Sequence, residues 1–72
     1  MRRNEYLDTE LLDALDIGMR ALNALQREGV TTIRHLLGFS RAELLSIRWI
    51  GRKSIRKVEE LLEKNGLTLR KT

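Results

Sequence analysis

Cysteine is absent from the 72 residues, so neither a disulfide framework nor a thiolate metal site can brace the fold. Proline is absent too, and no low-complexity run or linker divides the chain. One histidine, His35, makes neither a metal site nor a catalytic triad; beside Leu36 and Leu37 it reads as a partly buried or surface imidazole. Tyr6 and Phe39, the only aromatics besides Trp49, read as packing residues. No nucleophile–base pair or carboxylate cluster stands out, and so short a chain does not easily enclose a substrate pocket, so an enzyme is not expected. No apolar run approaches membrane-spanning length, and the start Met1-Arg2-Arg3-Asn4-Glu5-Tyr6 lacks the apolar core of a signal peptide. The expectation is a cytoplasmic protein without cofactor, metal or membrane partner.

What is present is one small domain, near the lower limit for a self-sufficient core. With 42% hydrophobic and 33% charged residues, the composition suits a soluble folded unit. The net charge of +4 is polarised along the chain. Residues 1–16 hold five acids against Arg2 and Arg3, whereas residues 41–72 hold nine basic side chains against four acids. An acidic leader and a basic body can present two surfaces to two partners.

The hydrophobic pattern predicts four to five short helices and no strand, because period-2 alternation is not sustained anywhere and Leu dominates over Val, Tyr and Phe. A turn or two of helix is expected from Asp8 to Leu15. Asp16 is expected to cap a helix from Gly18 to Glu28, closed by Gly29. Thr31 or Thr32 opens a short helix through Ile33, Leu36 and Leu37, which Gly38 ends. Ser40 with Glu43 forms a capping box for another. A longer helix runs from Arg52 to Lys64 and closes at Asn65-Gly66. Leu67 and Leu69 are expected to fold back onto the core, while Met1, Arg2 and Arg3 fray. The fold class is therefore all-α, a compact bundle of short helices.

The stretch Ile47-Arg48-Trp49-Ile50-Gly51-Arg52-Lys53-Ser54-Ile55-Arg56-Lys57-Val58 is the richest in chemistry. It gathers five basic residues and no acid around one glycine. Gly51 lets another backbone approach closely, and the helix start beyond it offers unpaired N–H groups and partial positive charge. An anion, above all a nucleic-acid phosphate, suits such a place. On the predicted helix, Ile55, Val58, Leu62 and marginally Leu61 face the core. Arg52, Lys53, Arg56 and Lys57 lie opposite in its first half, and Glu59, Glu60 and Glu63 follow. That order opposes the helix dipole by roughly 0.3–1 kcal/mol per exposed charge. A plain solvated face with pairs such as Arg56 with Glu60 would also produce charge here, but a helix arranged for its own stability would reverse the order.

The helix from Gly18 to Glu28 carries a smaller polar stripe. Ile17, Ala21, Ala24 and Leu25, with Leu22 at the edge, share an apolar side, and Arg20, Asn23 and Arg27 fall on the other. Arg enters narrow A·T-rich minor grooves, and Asn both donates and accepts. A polar face is common to any amphipathic helix, so the stripe gains meaning only beside the basic stretch.

From about Leu12 to Lys71 the chain resembles the C-terminal domain of the bacterial RNA polymerase α subunit. Leu15-Asp16-Ile17-Gly18-Met19-Arg20-Ala21-Leu22-Asn23-Ala24-Leu25, continued by Arg27-Glu28-Gly29-Val30, is similar to the family's segment bearing its DNA-contacting arginine and asparagine. Arg48-Trp49-Ile50-Gly51-Arg52-Lys53-Ser54-Ile55 resembles its Gly-x-Lys-Ser helix start, and Asn65-Gly66-Leu67-Thr68-Leu69 its closing segment. Residues 1–11 then form a leader and residues 12–72 the domain. The resemblance implies a SAM-like bundle related to helix-hairpin-helix modules. It implies binding to the minor groove of double-stranded A·T-rich DNA upstream of promoters, and contacts with σ factor or transcription regulators. Carried over by position, Arg20 would enter the groove and Asn23 would support it at the backbone. Gly51, Lys53 and Ser54, with Arg52 beside them, would hold phosphates, and Trp49 lies in the same contacting loop. Asp13 and Asp16 stand where the family's acidic residues before the first helix are associated with σ contact. A monomer or weak dimer associated with the nucleoid is expected.

The departures from the family pattern are specific. Ala21 and Gln26 stand where serine and lysine are usual, Ala14 interrupts the acidic cluster, and Arg56 and Lys57 lie where an acid is common. Trp49 replaces a common asparagine and can stack on a sugar, seat a protein partner or fill the core. Two other functions fit the residues: a general helix-hairpin-helix module of repair or recombination, and a protein-interaction module that docks on RNA polymerase without DNA.

Overall fold

How each helix begins and ends accounts for most of the backbone path in the computed structural model, which describes residues 3–71 and side chains from Glu5 to Lys71. Six helices follow one another: α1 Arg3–Leu7, α2 Leu11–Ala14, α3 Met19–Arg27, α4 Ile33–Leu36, α5 Arg41–Leu45 and α6 Arg52–Lys64. No strand forms among the described residues; only isolated bridges join Glu10 to Thr32 and Ser40 to Arg70. The all-α expectation holds. One helix beyond the expected four to five is present because α1 forms over Arg3–Leu7, where no helix was expected and Arg3 was expected to fray; Met1 and Arg2 lie outside the described residues.

Two short helices are closed by their own side chains. Ser40 Oγ accepts from the Glu43 N–H at 3.2 Å, and Glu43 Oε1 accepts from the Ser40 N–H at 2.8 Å, so the box expected before α5 is present. The start of α4 uses the same device with an unusual partner. Thr32 Oγ1 accepts from the His35 N–H, and His35 Nδ1 accepts from the N–H groups of Thr31 and Thr32. His35 is thus an exposed imidazole that caps α4. With so few turns to share the cost of nucleation, α4 and α5 depend on these caps.

The longer helices α3 and α6 both end in Schellman motifs. Val30 and Gly29 donate to the Leu25 and Gln26 carbonyls, and Leu67 and Gly66 donate to those of Leu62 and Glu63. Each motif turns the following apolar residue inward, which starts Val30 toward the core and half-buries Leu67.

Around one core lie Leu11, Leu25, Ile33, Leu36, Leu44, Ile55, Val58 and Leu62, all nearly inaccessible. Ala21, Leu22 and Ala24 bring in the apolar side of α3, and Leu69 folds back as expected. Leu7 joins this core too, so α1 packs with the rest. The α1–α2 and α3–α4 connections are tied by Leu11 N–H to the Thr31 carbonyl and Ile33 N–H to that of Thr9. Arg70 N–H donates to the Phe39 carbonyl and holds the C-terminal segment beside α5. No helix among the described residues is long and apolar enough to cross a membrane.

Candidate nucleic-acid interface

Both α3 and α6 begin on a glycine, and neither start is capped by a side chain. Their first N–H groups therefore face outward unpaired by side chains, at the positive end of each helix dipole. Gly18 has φ +88 and ψ 152, a conformation that L side chains rarely adopt. Asp16 was expected to cap this helix, but it lies two residues too early. Its carbonyl instead accepts a 2.7 Å hydrogen bond from Lys57 Nζ on α6. That bond ties the entrance of α3 to the first half of α6.

Gly51 differs. Its φ of −111 and ψ of 179 are extended backbone open to any residue, and a Cβ built there would meet nothing within 4 Å. Neither backbone strain nor internal packing selects glycine at this place. What glycine supplies is open space at a helix start flanked by Arg52 and Lys53, both exposed, and half-buried Ser54. A phosphate can approach the amides there without meeting a side chain.

The turn before Gly51 is closed by the Ile50 N–H donating to the Ile47 carbonyl at 3.1 Å. Ile50 is buried and Ile47 half-buried, so both ends of the turn are anchored. Trp49, at its third position, is pushed outward with φ +75 and remains 50% exposed. It does not fill the core. The Arg20 guanidinium from α3 lies 4.5 Å from the indole centroid, and that of Arg48 lies 5.1 Å away. Arg20 and the loop preceding Gly51 are thus in direct contact although nearly thirty residues separate them.

The remaining expected residues fan out from this contact. Asn23 borders a small hollow between α2 and α3, with Leu12, Met19 and Gln26. Arg52, Lys53 and Arg56 line a broad open cleft between α6, α5 and the C-terminal segment, shared with Arg41, Arg70 and Lys71. Lys57 turns the other way, toward Asp16. The basic face of α6 is therefore divided between two flanks. Glu59 pairs with Arg41 at 3.9 Å, and no Arg56–Glu60 pair is found among the described residues. Asp13 and Asp16 are exposed and carry no ion pair among the described residues. Leu12 and Met19, 59% exposed each, were not singled out by sequence, because each falls on an otherwise ordinary amphipathic helix. Arg48 was legible as part of the basic stretch, but its contact with Trp49 was not.

Together these features define a small all-helical module with a cationic surface around two open helix starts. The protein belongs to the family of the C-terminal domain of the bacterial RNA polymerase alpha subunit, whose family model matches residues 2–64. It is 47% identical over 58 residues to the DNA-directed RNA polymerase subunit alpha of Aquifex aeolicus, covering 81% of this sequence and 18% of that protein. It is 36% identical over 70 residues to the subunit of Leifsonia xyli, covering 93% and 21%. The Clostridium botulinum Hall subunit is 38% identical over 61 residues, covering 85% and 19%. The chain spans about a fifth of the length of these relatives. It is thus related to a transcription module of RNA polymerase.

Proposed function

We propose that this protein is a noncatalytic transcription module that binds A·T-rich duplex DNA upstream of promoters through the minor groove. Arg20 enters the groove, Asn23 supports it at the sugar-phosphate backbone, and the Gly51–Ser54 start of α6 holds phosphates. The observation that carries this reading is the contact of Arg20 with the Trp49 turn, 4.5 Å from guanidinium to ring. It sets a groove-reading cation beside a helix start whose glycine has no internal reason to be there. Such a surface reads groove shape more than base edges.

The test is a titration of A-tract and G·C-rich duplexes at matched ionic strength. Arg20→Ala is expected to cost about 1–3 kcal/mol on the A-tract duplex while the helical content stays unchanged. Equal binding by variant and parent would sink the assignment. Binding that is salt-dependent but indifferent to groove width would instead mark a general helix-hairpin-helix module.

Contacts with σ factor or regulators form the second part of the proposal. Asp13 and Asp16 stand exposed near Leu12 and Met19, two large apolar side chains open to solvent. Exposed acids close in sequence to exposed apolar residues suit a protein partner. Trp49 emission, followed while DNA and polymerase subunits are titrated separately, shows which of them reaches the Trp49 turn. A response to the subunits and none to DNA would favour a purely protein-docking module.

A further inference from the structure

Trp49 occupies a place the backbone disfavours. A turn whose third residue has positive φ selects glycine or asparagine, and a bulky side chain there is an outlier. Burial does not explain it, since half of the residue is open to solvent. Its interactions do. Two guanidinium groups lie over the indole, and Arg20 reaches it from the first turn of α3, where the dipole disfavours a cation. Neither arginine is in an ion pair among the described residues. The ring face is the partner the structure provides for both.

We propose that Trp49 is a positioning residue for Arg20, holding its guanidinium beside the Gly51 start of α6 before DNA arrives. The inference rests on the DNA-binding reading above. A long arginine on an exposed helix samples many rotamers and loses that freedom when it enters a groove. Stacking on an aromatic face restricts it in advance, while the ring leaves the guanidinium N–H donors free for oxygen acceptors. Arg48 on the same ring adds a second positive charge, and an approaching phosphate relieves the repulsion between the two cations. Trp49 therefore sharpens groove selection rather than reading bases itself.

Two measurements decide it. Without DNA, Arg20→Ala is expected to raise the acrylamide quenching of Trp49 emission, because the guanidinium shields the ring. With DNA, Trp49→Gly removes the ring while suiting the positive φ, and Trp49→Phe keeps a smaller face. Trp49→Gly is expected to weaken A-tract binding roughly two- to fivefold, and more than it weakens G·C-rich binding, so that the preference falls. Trp49→Phe should retain most of it. Unchanged quenching in Arg20→Ala would show that the stack does not persist in solution and overturns the inference. A parent that prefers A-tracts and a folded Trp49→Gly variant that keeps the preference overturn it alone. A parent with no A-tract preference overturns the DNA reading and this inference together.

Discussion

The four best-defined helix starts fall into two pairs. Those of α4 and α5 are closed by side chains, Thr32 with His35 and Ser40 with Glu43. Those of α3 and α6 are open and begin on glycine. Closed starts satisfy some of their amides internally and serve stability. Open starts leave amides and dipole to something outside. Within the open pair a second difference appears: Gly18 is demanded by its own backbone, whereas Gly51 is not. The same residue type thus stands for a structural requirement in one place and for access in the other.

The largest expected effect tests that distinction at Gly51. Gly51→Asp supplies a better cap, worth a few tenths of a kcal/mol plus a favourable dipole interaction. It also sets a negative charge where a phosphate is proposed, and like-charge juxtaposition costs several kcal/mol. Thermal unfolding should therefore rise or stay level while affinity for A-tract DNA falls on the order of a hundredfold. Binding that survives the substitution would remove the phosphate role from this helix start.

Gly18→Ala should do the opposite. Forcing a Cβ into φ +88 with ψ 152 is expected to destabilise the fold by about 1–3 kcal/mol, read as a lower denaturant midpoint. DNA affinity of the remaining folded protein should change little.

At the closed starts the effects are smaller and confined to stability. Ser40→Ala should cost about 1 kcal/mol by chemical unfolding and leave the DNA titration unaltered. A loss of DNA affinity there would blur the division between closed and open starts.

Smallest is a pH effect at Glu43. The Arg70 guanidinium hydrogen-bonded to its carboxylate, with the Ser40 N–H, holds Glu43 below the ordinary glutamate range. Because the folded pKa is lowered, this stabilisation is present above the ordinary value and disappears as pH falls through the lowered one. The parent should exceed Glu43→Gln in unfolding midpoint near neutrality, and the gap should close in acid. A gap that persists in acid would mean that the charge on Glu43 contributes nothing.

Several helix limits were legible because their signals are local. Ser40 with Glu43 marks α5, and Asn65-Gly66 ends α6 at the residue read from sequence. Other features were not legible from local signals. Asp16 is a good cap by type, yet Gly18 takes the N-cap position at φ +88 and Asp16 offers its carbonyl to Lys57 instead. His35 is not among the usual partners in a capping box, and its ring nitrogen acts as acceptor only because the turn at Thr31 and Thr32 brings two N–H groups to it. The basic stretch read as one face of a helix, but α5 and the α3 entrance stand on different sides of α6 and divide it. Helical periodicity places residues around an axis without saying what lies on each side of that axis.

By itself the sequence determined the helical class, the long charged helix and its core face, and the two motifs that carry the family likeness. The class and the helix follow from capping, Gly placement and apolar spacing, which act over a few residues, and the motifs are carried by residue identity alone. Only the tertiary structure decided that Trp49 stays outside in a left-handed turn, that Arg20 stacks on it, and that Lys57 reaches the Asp16 carbonyl. Those contacts join residues far apart in the sequence. Their geometry depends on how buried Ile50 and the apolar side of α3 seat themselves in a shared core, which no local pattern records.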